Sequence, residues 1–272
     1  MKKRLFFIVS LLIIAVLSFS SCGEQGEEGT PGLEYYLMNG GSTYGVKAGN
    51  ACYLETIVIP STCNGIAVTA VLDSAFEECE NLKSVTIPDS VTEIGDSAFY
   101  ACTGLTSVTI PDSVTSIGKS AFKYCRNLTS VTIPDSVTSI GDSAFYGCPI
   151  ATATIPASAI SDISNSKLNA VVITSGDIAA YAFYSCSSIT SVTIPDSVTS
   201  IGASAFINCS SLTSVTIPDS VTSIGASAFE DCDSLTSIKY SGTQAQWNAI
   251  SKGARWDYDT GDYTITYNHD GE

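Results

Sequence analysis

From Leu105 to Cys125 the apolar positions are Leu105, Val108, Ile110, Val114, Ile117, Ala121, Phe122 and Cys125, spaced by mostly polar or turn-forming residues. The pattern Leu-x-x-Val-x-Ile-Pro-x-x-Val-x-x-Ile-Gly-x-x-Ala-Phe-x-x-Cys begins again at Leu82, Leu128, Ile189 and Leu212, mostly 23 residues apart. Val108-Thr109-Ile110 alternates with the period of a strand, two side chains in and one out. Pro111 removes a donor and Asp112-Ser113 turns the chain. A second short extended piece ends at Gly118, which lets the chain turn again, and Ser120-Ala121-Phe122 predicts one or two helical turns. A unit this small cannot bury its apolar side alone, so the copies must stack. The pattern predicts an α/β-type solenoid of about nine coils of about 23 residues. Each coil is a strand plus a short helical or extended return, and caps close both ends. At about 4.8 Å per coil the rod is roughly 40 Å long.

The segments outside the repeat read as those caps. Leu33 to Leu37 and Thr43 to Val46, separated by Asn39-Gly40-Gly41, form a hairpin signal. Leu54 to Pro60 is the first coil strand, with an enlarged turn from Ser61 to Val68. Between Ile150 and Ser185 the rhythm breaks: the strand ending at Ile155-Pro156 has no Ala-Phe-x-x-Cys after it, and Leu168 starts the next coil directly. Ala157, Ala159, Ile160 and Ile163 are the apolar groups available to fill the missing Phe site. After the last strand, ending at Tyr240, Thr243-Gln244-Ala245-Gln246 predicts a capping box with Trp247 and Ile250 on one helix face. Tyr263 to Tyr267 would finish the cap as a strand.

The N-terminus carries an address. Lys2-Lys3-Arg4 is basic, Leu5 to Phe19 is nearly all apolar but short for a membrane span, and Ser20-Ser21-Cys22 follows. Small residues before a Cys resemble the lipobox of bacterial lipoproteins, although Phe19 stands where such boxes usually carry an aliphatic residue. The other reading is a plain secretory signal cut near Ser21. The acidic run Gly23 to Gly29 resembles the surface-export signal of Bacteroides-type lipoproteins. These resemblances imply lipid on Cys22 and an outer-membrane protein facing the cell exterior, touching the membrane only through that lipid. The expected divisions are a signal peptide over 1–21, a tether over 22–31, an N-terminal cap over 32–53, the solenoid over 54–240 and a C-terminal cap and tail over 241–272.

Charge narrows the partners. Twelve Lys and Arg against 27 Asp and Glu give a net charge of −15, and three of the bases lie in the leader. Such a surface repels nucleic acid and anionic membrane faces. His269 is the single His and sits in the tail, which removes Ser-His-Asp and Cys-His catalysis and His-based metal sites. No Gly-rich phosphate loop follows a strand. The chain therefore reads as non-catalytic, with no cofactor.

Stacking places like residues in rows, and each row has two readings. Cys79, Cys102, Cys125, Cys148, Cys186, Cys209 and Cys232 form a column of small buried hydrophobes or of cross-coil disulfides, and their linear spacing does not suit zinc. Cys52 and Cys63 flank the first strand and are a candidate disulfide that would staple the N-terminal cap. On the strand face, Ser107 and Thr109, Ser130 and Thr132, Ser191 and Thr193, and Ser214 and Thr216 point outward as two hydroxyl rows. These are a candidate contact face or a solvated one, since Thr favours strands. An ice-binding face is a further reading, against which the Ser row and the interruption at Ala170 and Val172 count. Asp89, Asp112, Asp135, Asp196 and Asp219 follow the strand Pro, either as turn residues accepting backbone N–H bonds or as calcium bridges. Lys119 lies between Asp96 and Asp142 in a charge-alternating stack.

The repeat text IPDSVTSIGDSAFYGC closely resembles the leucine-rich repeats of bacterial surface antigens of the BspA type, over Leu54 to about Ile250. Tyr240-Ser241-Gly242-Thr243, Trp247 and Ile250 resemble that family's closing unit. The resemblance implies an extracellular binding protein or adhesin and brings no catalytic residues. Two functions are expected from it: presentation of a repeat face to a host protein, a glycan or a neighbouring cell, or a structural surface spacer without a selective ligand. Departures from a repeat often lie at a binding face. The non-repeat polar cluster Asp162, Asn165, Lys167 and Asn169 is accordingly the candidate contact patch.

Overall fold

The structure is a computed structural model that describes residues 29–163 and 167–268. Its strand side begins with Thr56–Val58 paired in parallel to Ser84–Thr86. An eight-stranded parallel sheet follows: Ser107–Thr109, Ser130–Thr132, Thr152–Ile155, Ala170–Ile173, Ser191–Thr193, Ser214–Ile217, Ser237–Tyr240 and Thr264–Tyr267. No ladder joins Ser84–Thr86 to Ser107–Thr109, so the strand side is divided there. The middle residue of each Ser-Val-Thr strand is buried and its neighbours are exposed or half-buried, which is the period-two pattern read from the sequence. Val108 lies beside Val131, and Val192 beside Val215. Thr264–Tyr267, expected only as a cap strand, continues the parallel pairing and adds a tenth turn to the nine counted from the repeat.

A second, narrower sheet, parallel apart from its N-terminal hairpin, forms where the chain returns. It runs from the N-terminal hairpin, Glu34–Met38 against Thr43–Lys47, through Ile66–Val71 to Glu93–Ile94, Ser116–Ile117 and Ser139–Ile140. It resumes as Ser200–Ile201, Ser223–Ile224 and Ser251–Lys252, with Ile178 bridged to Ile201. Among the described residues the coil after Ile150 contributes no strand here. It substitutes a 3-10 turn, Ala157–Ala159, and a four-residue helix, α1 (Ile160–Ile163). Ala157, Ala159, Ile160 and Ile163 are all buried, filling the core as the sequence suggested. The break therefore interrupts the return sheet while the strand sheet passes through it in register.

The third side, expected as helical turns, is instead a chain of tight turns. Two residues per coil, four apart, adopt positive φ: Ser97 and Ala101, Ser120 and Tyr124, Ser204 and Asn208. Left-handed backbone at a non-glycine residue costs on the order of 1–3 kcal/mol. The compensation lies in hydrogen bonding. Alternate amides close turns within the coil, as Ala98 N–H does on Gly95 O and Tyr100 N–H on Ser97 O. The others point along the stack: Ser97, Phe99 and Ala101 donate to the carbonyls of Lys119, Ala121 and Lys123 in the next coil at 2.7–2.9 Å. A helix would turn these donors inward and leave each coil without bonds to its neighbour on this side.

Behind the turns the Phe side chains stack. Phe76, Phe99, Phe122 and Phe145 lie 5.1–5.2 Å apart with near-parallel rings, and Phe183, Phe206 and Phe229 form a second column at 4.8–5.0 Å. Trp256 closes the second column edge-on. The Gly after each return strand serves close approach rather than a special turn: a Cβ on Gly118 would sit 2.5 Å from the Asp96 amide, and one on Gly141 2.4 Å from that of Lys119. In the C-terminal cap, Thr243 and Gln246 make the expected capping box of α2 (Gln244–Ala249), and Trp247 and Ile250 are buried.

Among the described residues one disulfide is present, and it is not the pair expected. Cys52 bridges Cys79, with Cα atoms 4.9 Å apart. The reason is positional: Cys52 lies on the 3-10 turn Gly49–Tyr53 above the first coil, at the head of the Cys column. Cys63 lies on the extra strand Thr62–Cys63, which pairs with Ile66–Val71 on another side of the coil. The bridge still staples the N-terminal cap, but to the first Phe block. No helix among the described residues is long and apolar enough to cross a membrane.

Candidate functional site

On the strand side the backbone holds a shallow trough of 830 Å³. Its floor includes Ser107, Thr109 and Thr132, and Asp89, Asp112 and Asp135 stand along it. Ser130 lies on the same strands outside the lining, while Ser191, Thr193, Ser214 and Thr216 continue the rows further along the sheet. These side chains differ from the other hydroxyls of the repeat in one respect. Thr115, Thr138 and Thr222 donate Oγ1 bonds to the Thr carbonyl one coil back, as do Thr129, Thr213 and Thr236 beside the strands. Ser90, Ser113, Ser136 and Ser220 donate to Val carbonyls. Among the described residues, the strand-face Ser and Thr hydroxyls donate to and accept from no protein group, so their bonding capacity faces outward.

The Asp row departs from the turn role expected of it. Asp89, Asp112, Asp196 and Asp219 are exposed, and among the described residues no backbone N–H donates to them. The neighbouring Ser does the bonding, and Asp135 Oδ1 accepts from Thr174 Oγ1 at 2.6 Å. The carboxylates that do accept amides lie at the corner after the return strand. Asp73 takes the Asp96 N–H at 2.8 Å, and Asp96 takes that of Lys119 at 2.7 Å. Lys119 is thus tied through its backbone, not through the charge pair that alternation suggested. Asp177 accepts from the amides of Thr199 and Ser200, which hold its carboxyl below the usual carboxylate range. Among the described residues no group of three or more His, Cys, Asp or Glu is arranged to hold a metal ion.

A second concavity, of 540 Å³, lies at the break. Asp162 and Lys167 of the predicted patch both line it, with Tyr146, Gly147, Phe145 and Cys148. Asn169 is exposed at the foot of the next strand, outside that lining, and Asn165 lies outside the described residues. Surrounding atoms desolvate the Asp162 carboxyl and raise its pKa although its residue reaches the surface. Next to this recess the sequence reading passed over an aromatic row: Tyr100, Tyr124 and Tyr146 meet edge to face at 5.8 Å. Lys123 Nζ lies 5.2 and 5.4 Å from the Tyr124 and Tyr146 ring centres, and Arg126 is over Tyr124. The signal for it was there, since Lys119, Lys123 and Arg126 crowd one coil of an acidic chain.

The Cys column is buried throughout. Cys102, Cys125, Cys148, Cys209 and Cys232 donate S–H bonds to Phe carbonyls one coil back, at 3.0–3.2 Å. Burial pushes the Cys102 and Cys232 thiols up to about 12. Cys79 leaves the column's common role by joining the disulfide.

With ladders, caps and open faces in view, comparison with known proteins gives one decisive match. A family model described as the BspA type leucine rich repeat region, in six copies, covers residues 43–172 and 176–254. The chain belongs to the BspA-type leucine-rich repeat family. No curated protein matches the chain. Similar solved structures include a leucine-rich repeat protein of T. pallidum, 26% identical, covering 83% of this chain and 86% of that one at a TM-score of 0.39. A leucine-rich cell surface protein of Faecalibacterium prausnitzii is 25% identical over 82% of this chain and 97% of that one, at 0.34. A leucine-rich repeat protein of Bacteroides ovatus is 22% identical over 87% and 99%, at 0.34. The BspA-type match spans the break as well as the regular coils.

Proposed function

We propose that this BspA-type repeat protein is a non-catalytic binding protein of the bacterial cell surface. In this reading lipid on Cys22 anchors it to the outer membrane, and the strand face meets an extracellular protein or glycan. The carrying observation is the two rows of strand-face hydroxyls that have no intramolecular partner among the described residues, part of them lining a trough, while other Ser and Thr rows are bonded into the stack. Free hydroxyls offer both donors and acceptors at a fixed spacing of about 4.8 Å from coil to coil, a regular lattice for hydroxyl-rich or amide-rich ligands. The acidic rim disfavours nucleic acid and anionic partners at this face. The test is saturable binding on glycan and extracellular-protein arrays, followed by the double variant Thr109→Ala, Thr132→Ala. A ligand bound by the wild type and lost by a folded double variant supports the reading. Absence of any saturable ligand makes the protein a surface spacer.

A further inference from the structure

Each Phe block projects three amides along the stack, and the next block normally receives them. Ser120, Phe122 and Tyr124 donate to Asp142, Ala144 and Tyr146, and beyond the break Tyr181, Phe183 and Ser185 donate to Ala203, Ala205 and Ile207. The block between them is the exception inside the stack. The coil above Ser143, Phe145 and Gly147 has lost its Ala-Phe-x-x-Cys segment, and among the described residues these three amides have no acceptor. Ser143 and Gly147 keep the positive φ that turns the row toward the missing coil. All three residues line the 540 Å³ recess. Phe145 and Cys148, 4% and 5% exposed where most of their counterparts are fully buried, form its apolar floor.

We propose that this recess binds an acidic oligosaccharide, one carrying carboxylate or sulfate groups. The row supplies donors and no acceptors, so it selects a ligand rich in oxygen acceptors. Successive donors are two residues apart, up to about 7 Å, too far for one oxyanion to satisfy all three. A short chain of sugars offers oxygens at several positions along the row. Tyr146, 60% exposed, gives a flat aromatic wall beside it. Lys167 lines the recess, and Lys123 and Arg126 stand over the adjoining Tyr rings. That places a local positive field in a chain of net charge −15. Asp162 opposes it on the same wall, and the raised pKa of its carboxyl marks how poorly the recess solvates a negative charge without a partner. Charge-assisted bonds from Lys167 and the amides would supply that partnering to the ligand.

The inference rests on the reading of the chain as an extracellular binding protein but assigns a different face from the strand trough. The experiment is an amide-resolved NMR titration of the full mature chain with a heparin-derived hexasaccharide and an oligogalacturonate of the same length. Maltohexaose serves as the neutral counterpart and a poly-glutamate peptide as the acidic one. The expected result is a shift of the Ser143, Phe145 and Gly147 amides with one or both acidic sugars and none with maltohexaose. Lys167→Ala and Tyr146→Ala should each weaken binding about tenfold, the loss of one charge-assisted bond or one aromatic wall. Asp162→Asn should tighten it several-fold. Salt should weaken it. Equal binding of maltohexaose, a stronger response to poly-glutamate, or weakening by Asp162→Asn would each overturn the assignment. Acidic sugars that shift the strand-face residues instead would move the site to the trough and leave the binding-protein reading standing. No response to any probe, with a ligand found on the arrays, would remove the recess site alone.

Discussion

Phe122→Ala tests the central packing claim. Phe122 is fully buried and lies between Phe99 at 5.1 Å and Phe145 at 5.2 Å, both nearly parallel to it. Emptying a buried Phe site removes about 3–5 kcal/mol, of which each ring pair accounts for about 0.5–1.5 kcal/mol beyond simple area burial. Phe145 has a ring on one side only, because α1 follows it. Phe145→Ala should therefore cost less than Phe122→Ala by about 0.5–1.5 kcal/mol. Thr109→Ala, on the exposed strand face without a hydrogen-bonding partner, should stay within about 0.5 kcal/mol. Urea unfolding followed by circular dichroism reads all three. At an m-value of about 2–3 kcal/mol/M, Phe122→Ala should lower the midpoint by on the order of 1–2 M. Local loss of coupling in a stack can also split the transition, so the slope must be compared before midpoints are converted. Equal losses for Phe122→Ala and Phe145→Ala would refute a contribution from ring stacking. A Thr109→Ala loss as large as that of Phe122→Ala would mean that the inward and outward faces are reversed.

Removing the disulfide with Cys52→Ser and Cys79→Ser together should destabilise the N-terminal cap by roughly 3.5 kcal/mol, from closure of a loop 27 residues long; an unchanged thermal midpoint would argue against the bridge. The column thiols of Cys102 and Cys232, pushed up to about 12, should resist alkylation at pH 8 until the chain is unfolded, and rapid labelling of the native protein would contradict their burial. Asp177 has a folded pKa below that of the unfolded chain, about 3.9 for Asp, so its stabilisation is full above that value and disappears as the pH falls through the lowered one. The melting difference between wild type and Asp177→Ala should accordingly shrink between pH 5 and pH 2, and a constant difference would discard the amide-acceptor role. Cys22→Ala should abolish partition into detergent and the mass of an acylated N-terminus; retention would dismiss the lipid anchor.

The stack, the facing of Ser-Val-Thr strands, the hairpin cap and the capping box at Thr243 were legible because each follows from local spacing. A period of 23 with Val and Ile two apart leaves few alternatives to parallel strands in register. The turn block was not legible in the same way. Ser120, Tyr124 and Ala101 are not residues that announce left-handed backbone, and nothing local requires it. The requirement comes from the neighbour, whose carbonyls need donors directed along the stack. Gly118 misled for a related reason: glycine signals a turn, whereas here the absent Cβ makes room for the previous coil's amide. The disulfide was misassigned by reading Cys52 and Cys63 as flanks of one strand, when Cys52 extends the column that begins at Cys79.

The same dependence on neighbours explains why the break carries chemistry that the regular coils lack. A residue-by-residue reading of Ile150 to Leu168 sees a shortened coil and substitute apolar groups, and those groups do fill the core. What they do not replace is the set of carbonyls that the coil below was built to meet. Strand pairing survives because Thr152–Ile155 and Ala170–Ile173 keep their register, so the two halves stay joined on one side. On the turn side no acceptor among the described residues takes the amides of Ser143, Phe145 and Gly147. The last full Phe block differs: Ser227, Phe229 and Asp231 find the carbonyls of Ala254, Trp256 and Tyr258, although that closing turn is not a copy of the repeat. The C-terminal cap thus preserves an acceptor row with an unrelated sequence, whereas the interior break omits one within an otherwise regular stack. Phe145 is a buried residue, and a buried amide without a partner carries a desolvation penalty of about 1–3 kcal/mol, whereas Ser143 and Gly147 are exposed and their amides meet solvent. One donor from a buried residue beside two from exposed ones marks that recess, rather than the monotonous coils, as the place where an oxygen-rich ligand meets amides that the stack leaves unused.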